Sequence, residues 1–144
     1  MSGPIASCFL ILVLGADPLG KDALKELKKL EGEWVVKSIE TSEGKQDVGD
    51  ELITLTFTGS KLTFFPGNQD SEVIALDAAA NPKTLDVKVT RKGREDQFGE
   101  GIYRIDGDTL VIVTYQGKAK MRPTSFDKPT DDKTIIWTCT RAKK

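Results

Sequence analysis

Thr124 and Ser125, in the run Arg122-Pro123-Thr124-Ser125-Phe126, are the hydroxyls that most resemble nucleophiles in this chain. A nucleophilic hydroxyl needs a base within hydrogen-bond reach. The chain contains no histidine, which removes the commonest general base and the commonest metal ligand. Lys120 is a base nearby in sequence. These residues assemble no catalytic constellation, and no enzyme is expected. Asp127, Asp131 and Asp132 offer carboxylate oxygens to a hard cation. They lack the spaced oxygen ligands and the glycine of a calcium loop, so a solvated loop is the better reading. No metal site and no cofactor is expected.

The cysteines are Cys8 and Cys139. A disulfide between them would require Cys8 to remain in the mature chain. The surrounding run, Ile5 to Leu14, is apolar and uncharged. It is too short to span a bilayer. It has the length of a signal-peptide core, and the small residues Gly15 and Ala16 follow it. Residues 1–16 are therefore read as a signal peptide and 17–144 as one mature domain. No lysine or arginine precedes the run, which departs from the usual signal pattern. The alternative is an extra buried strand. A lipid anchor at Cys8 is not expected, because the apolar run follows that cysteine instead of preceding it. Cys139 is then an unpaired thiol in a strand, a small buried hydrophobe.

The 144 residues suffice for one domain with a real core. Lys plus Arg is 21 and Asp plus Glu is 22. That balance gives no reason to expect a nucleic acid or a basic contact with a membrane. A monomer is expected, exported to the periplasm or beyond, with no protein partner identifiable.

The elements that would position any site begin with a short helix over Asp22–Leu30. Leu24, Leu27 and Leu30 share a face there, Asp22 is the N-cap, and Gly32 stops the helix. A helix this short must lie on something. Strands are expected at 34–40, 52–57, 61–65, 72–76, 84–90, 97–105, 109–115 and 133–141, separated by polar turns. Ile53, Leu55 and Phe57 alternate with threonines, and Leu85, Val87 and Val89 alternate with polar residues. Gly99 and Gly101 within one strand suggest a bend or bulge that curves the sheet. Asp106-Gly107 marks a tight turn. Eight strands after one helix form an all-β barrel or a sandwich.

Gly32-Glu33-Trp34, at the start of the first strand, resembles the Gly-X-Trp motif of lipocalins. Arg141 on the last strand matches the basic residue that lipocalins pack across that tryptophan. Further stretches extend the likeness: Leu30 to Val36, Thr54 to Gly59, Pro82 to Asp86, Gly101 to Leu110, and Arg122 to Phe126. In this order they resemble a conserved domain of planctomycete bacteria that has no agreed activity and is described as lipocalin-like. The likeness covers about residues 28–142. It implies an eight-stranded antiparallel lipocalin-like barrel with a short N-terminal helix, and the binding of a small apolar ligand or lipid.

Gly32, Trp34 and Arg141 are read as barrel closure. A guanidinium over an indole contributes about 0.5–2 kcal/mol, according to how far the pair is desolvated. Phe57, Phe64, Val87, Tyr103 and Tyr115 are the candidate cavity lining. The Arg122–Phe126 segment is expected across the barrel mouth. An eight-stranded barrel can be hollow or filled. The two readings that remain are a carrier of an apolar molecule and a structural or interaction module of the cell envelope with a filled core.

Overall fold

The structure is a computed structural model, and it describes residues 19–48, 52–67, 69–117 and 121–142. The expected signal segment, with Cys8, lies outside these residues, as does Lys120.

Among the described residues one helix, α1 (Lys21–Leu30), precedes nine strands. They are β1 (Gly32–Thr41), β2 (Gly44–Asp47), β3 (Thr54–Thr58), β4 (Lys61–Phe65), β5 (Gln69–Asp77), β6 (Lys83–Val89), β7 (Gln97–Asp106), β8 (Thr109–Tyr115) and β9 (Thr134–Arg141). All pairings are antiparallel. The order β1-β3-β4-β5-β6-β7-β8-β9 returns to β1, so eight strands close into a barrel. Closure leaves no free edge among those eight.

β2 is the strand that sequence pattern does not reveal. Its residues, Gly44-Lys45-Gln46-Asp47, have no apolar member, and they pair as a small hairpin with Ser38–Thr41 of β1, while β3 pairs with Gly32–Val35. β1 changes partners at a bulge between Val36 and Ser38. Before the bulge the Val36 amide donates to Ile53. At the bulge the Lys37 carbonyl accepts from Val48. A second bulge lies in β5 between Val73 and Ala75. The register of β7 runs without a shift on both sides, so Gly99 and Gly101 do not mark a bulge. Gly101 serves close packing instead. A Cβ there would stand 2.7 Å from the Val113 carbonyl oxygen.

Side chains alternate cleanly between the two faces of the wall. Trp34, Val36, Leu55, Phe57, Leu62, Val73, Leu76, Leu85, Val87, Tyr103, Leu110, Ile112 and Cys139 form the interior cluster. Ile102, Val111, Val113 and Ile136 form a second cluster on the outside of β7, β8 and β9. An outward apolar patch in a barrel must be covered, and Phe126 packs on it. The Arg122–Phe126 segment thus lies on the outer wall, not across the mouth. Arg122 fixes it there by donating to the Gly101 carbonyl at 2.9 Å. Its Nη1 also lies 2.7 Å from an Asp86 carboxylate oxygen, an ion pair rather than an aligned hydrogen bond. Arg104 stacks on the Phe126 ring at 4.5 Å. The segment follows this path because alternation gives β7–β9 an apolar outer face as well as an apolar inner one.

Candidate functional site

The antiparallel strands define two barrel ends of different character. At one end α1 lies over the opening. Its buried residues are Ala23, Glu26, Leu27 and Leu30. Leu24 is 52% exposed, contrary to the expected Leu24-Leu27-Leu30 face. The buried stripe follows the i, i+3, i+4, i+7 spacing from Ala23, and Leu24 sits about 100° away from its start. Gly20 is the N-cap and Asp22 lies inside the first turn.

The helix C-terminus is tied by the closure residues. The Trp34 indole Nε1–H donates to the Leu30 carbonyl at 2.8 Å. Arg141 lies opposite Trp34 in the β1–β9 pairing, with its guanidinium 4.1 Å from the ring centroid. It also donates to the carbonyls of Lys29 at 3.0 Å and Glu31 at 3.1 Å. These are carbonyls that a helix end leaves without internal partners. Gly32 has φ of 113°, a region where other residues are strained, and a Cβ there would lie 3.6 Å from Arg141 Nη1.

Glu26 is the residue that sequence reading passed over. It is 3% exposed and points from the helix into the barrel end. Its carboxylate accepts from Lys83 Nζ at 2.7 Å and from the Tyr103 hydroxyl at 2.9 Å. Lys29 Nζ is 3.3 Å away. Burial opposes ionisation of Glu26 more than any other single influence. The hydrogen bonds from Lys83, Tyr103 and Lys29 together outweigh it, so the carboxyl titrates below its ordinary range. Burial, and then the adjacent carboxylate, push the Tyr103 phenol well above the usual tyrosine range. Chemically this cluster is a latch: every polar group has its partner, and none is presented to a substrate.

The other end is reached from the far ends of the same strands. Ile39, Val48, Ile53, Phe64, Val89 and Trp137 are apolar, only partly buried, and packed against the interior cluster. Phe64 and Trp137 meet at 5.6 Å between ring centroids, tilted by 59°. Alternation with Tyr103 directs Gly99 inward. A Cβ at Gly99 would meet only the Tyr115 carbonyl oxygen within 4 Å, at 3.9 Å, and no side chain. Two hydroxyls share this half. Ser71 faces in beside Leu62 and Val89, and Thr114 faces in beside Gly101 and Ile135. Ser71 Oγ and Thr114 Oγ1 are buried and have no hydrogen-bond partner among the described residues.

The candidate lining residues divide between these places. Phe57 is fully buried in the helix-covered half, where it is core. Val87 faces the interior and Phe64 is partly buried against it at the end away from the helix. Tyr103 faces inward, but its hydroxyl is engaged by Glu26. Tyr115 alternates outward with Val111 and Val113, so it does not line the interior. Trp137 carried no weight in the sequence reading. The signal was there in the alternation Ile135, Trp137, Cys139, but Ile136 between them is apolar too.

The remaining candidates serve turns. Ser125 Oγ accepts from the Asp127 amide, and Asp131 caps the start of β9 by accepting from the amides of Lys133 and Thr134. The bond from the Lys133 amide first, and then that from the Thr134 hydroxyl, hold the Asp131 carboxyl below its ordinary range. No cluster of metal ligands occurs among the described residues. An open groove of about 380 Å³ is lined by Lys61, Ser71, Glu72, Lys88 and Thr90. Glu72 pairs there with Lys88 at 3.9 Å. Ser71 Oγ is sealed from solvent, and the flanking strand partners of Ser71 face the interior, so its hydroxyl belongs to the barrel and not to that groove.

Comparison with models of known protein families, with curated proteins and with solved structures found no match.

Proposed function

We propose that this protein is an exported, lipocalin-like carrier that holds a small apolar molecule or lipid in the open half of its barrel. The observation that carries the reading is the half-buried apolar pair Phe64 and Trp137 at the end away from the helix, with Gly99 inward on β7 and presenting no side chain. Ligand pockets are apolar recesses with a few polar groups, and this half of the barrel has that composition. The helix-covered half is a filled core and suits either a carrier or an interaction module. The partly buried apolar side chains at the other end support the carrier. The Gly-X-Trp motif, with Arg141 across the tryptophan, supports the lipocalin-like assignment. The stretches that resemble the planctomycete domain support it as well.

Export rests on the apolar run Ile5 to Leu14 and the small residues after it. Intact mass of the protein recovered outside the cytoplasm tests this: the mature chain begins near Ala16 or Asp17, and a secreted species that retains Met1 refutes cleavage.

Carriage is tested with the neutral probe N-phenyl-1-naphthylamine. Wild type enhances its fluorescence in a saturable way. Gly99→Leu, whose Cβ would meet no side chain within 4 Å, should lose the enhancement while its circular dichroism spectrum stays that of wild type. Equal enhancement in both proteins would place the probe elsewhere. No enhancement in wild type would favour the interaction module.

A further inference from the structure

The unpartnered hydroxyls of Ser71 and Thr114 restrict what the open half of the barrel can hold. They lie on β5 and β8, walls three strands apart, and both face the interior. Ser71 is 4% exposed. A buried hydroxyl without a partner is costly, and native proteins keep few of them. Two in one half of one barrel call for a common explanation, and the entry of a hydrogen-bonding group supplies it.

The charges restrict the ligand further. Among the described side chains, the inward strand positions at this end are Ile39, Phe64, Ser71, Val87, Val89, Gly99, Thr114, Ile135 and Trp137 together with Gln97, and none is ionisable. Among the described strand residues the inward cations are Lys83 and Arg141, at the opposite end, committed to Glu26 and to the carbonyls below α1. Among the described strand positions of this end a carboxylate or phosphate finds no counter-charge, and burying one there is far more costly than burying a hydroxyl.

We infer that the barrel selects an uncharged amphiphile whose buried part bears an alcohol, ester or ketone oxygen, which hydrogen-bonds to Ser71 Oγ, Thr114 Oγ1 or both. This rests on the carrier reading. Hydroxyls suit such a ligand because each can donate to a carbonyl or accept from an alcohol. The ligand reaches them by displacing the half-exposed side chains at the mouth.

The test is displacement of N-phenyl-1-naphthylamine from the wild-type protein by decanol and by decanoate at neutral pH. Decanol displaces the probe at a concentration at least about tenfold lower. Decanoic acid gains affinity as the pH falls through its own carboxyl pKa, because the neutral form is the one accepted. Ser71→Ala and Thr114→Val each weaken decanol about fivefold, measured by direct calorimetric titration of each variant. Decanoate binding as tightly as decanol overturns the inference. So does a decanol affinity untouched in both variants. If the wild type takes up no probe at all, the carrier reading falls and the inference falls with it. If it takes up probe, and Gly99→Leu abolishes this without any preference for decanol, only the inference falls.

Discussion

The guanidinium of Arg141 lies 4.1 Å over the indole of Trp34 while its nitrogens cap the carbonyls of Lys29 and Glu31. One side chain therefore joins the last strand, the first strand and the end of the helix. The indole is fully buried and its Nε1–H is bonded to Leu30. Trp34→Ala should cost about 3–5 kcal/mol of folding stability. Arg141→Ala should cost less. Urea unfolding of both single variants and the double variant measures their coupling. The double variant should be clearly less damaged than the sum of the two single effects. Strict additivity would mean that the contact contributes nothing.

Glu26 makes stability sensitive to acid. Its folded pKa is depressed, so its contribution is fully present above the ordinary glutamate value and is lost as pH falls through the lower folded value. The stability gap between wild type and Glu26→Gln should therefore be widest near neutral pH and narrow in the acid range below the ordinary glutamate pKa. Chemical denaturation at a series of pH values gives the curve. A gap that stays constant down to strong acid would show that Glu26 is not charged in the latch.

Cys139 is fully buried, and burial pushes its thiol up to about 12. The thiolate is the reactive form. In protein that starts at Asp17, Cys139 is the only thiol. At mildly alkaline pH a disulfide reagent should label the native protein at a rate limited by unfolding, and label the urea-unfolded chain at once. Rapid labelling of the native protein would contradict the interior placement of β9's inward face.

The sequence made the barrel legible where apolar and polar residues alternate strictly. Ile53, Leu55 and Phe57 on β3 and Leu85, Val87 and Val89 on β6 are of this kind, and the 61–65 and 109–115 strands fall where the turns require. β2 was hidden because a strand that buries nothing has no apolar period. β7 to β9 were partly misread because both of their faces are apolar. One faces the barrel and the other lies under Phe126, so apolar pattern alone assigns neither the Arg122–Phe126 segment nor Tyr115 to its face. Glu26 was hidden for a different reason. A glutamate in a short charged helix reads as solvated, and its partners Lys83 and Tyr103 lie 57 and 77 residues away. Only the fold brings them together.

The two tryptophans give the most direct test of ligand carriage, because they occupy opposite ends of the same interior. Trp34 is sealed under α1 and bonded to Leu30. Trp137 stands half-buried against Phe64 at the open end. Proton–nitrogen correlation spectra resolve one indole signal from each, assigned with Trp137→Phe. Titration with decanol should move the Trp137 indole signal in a saturable way and leave that of Trp34 in place. A titration that moves neither signal, or moves both alike, would contradict binding in the open half of the barrel.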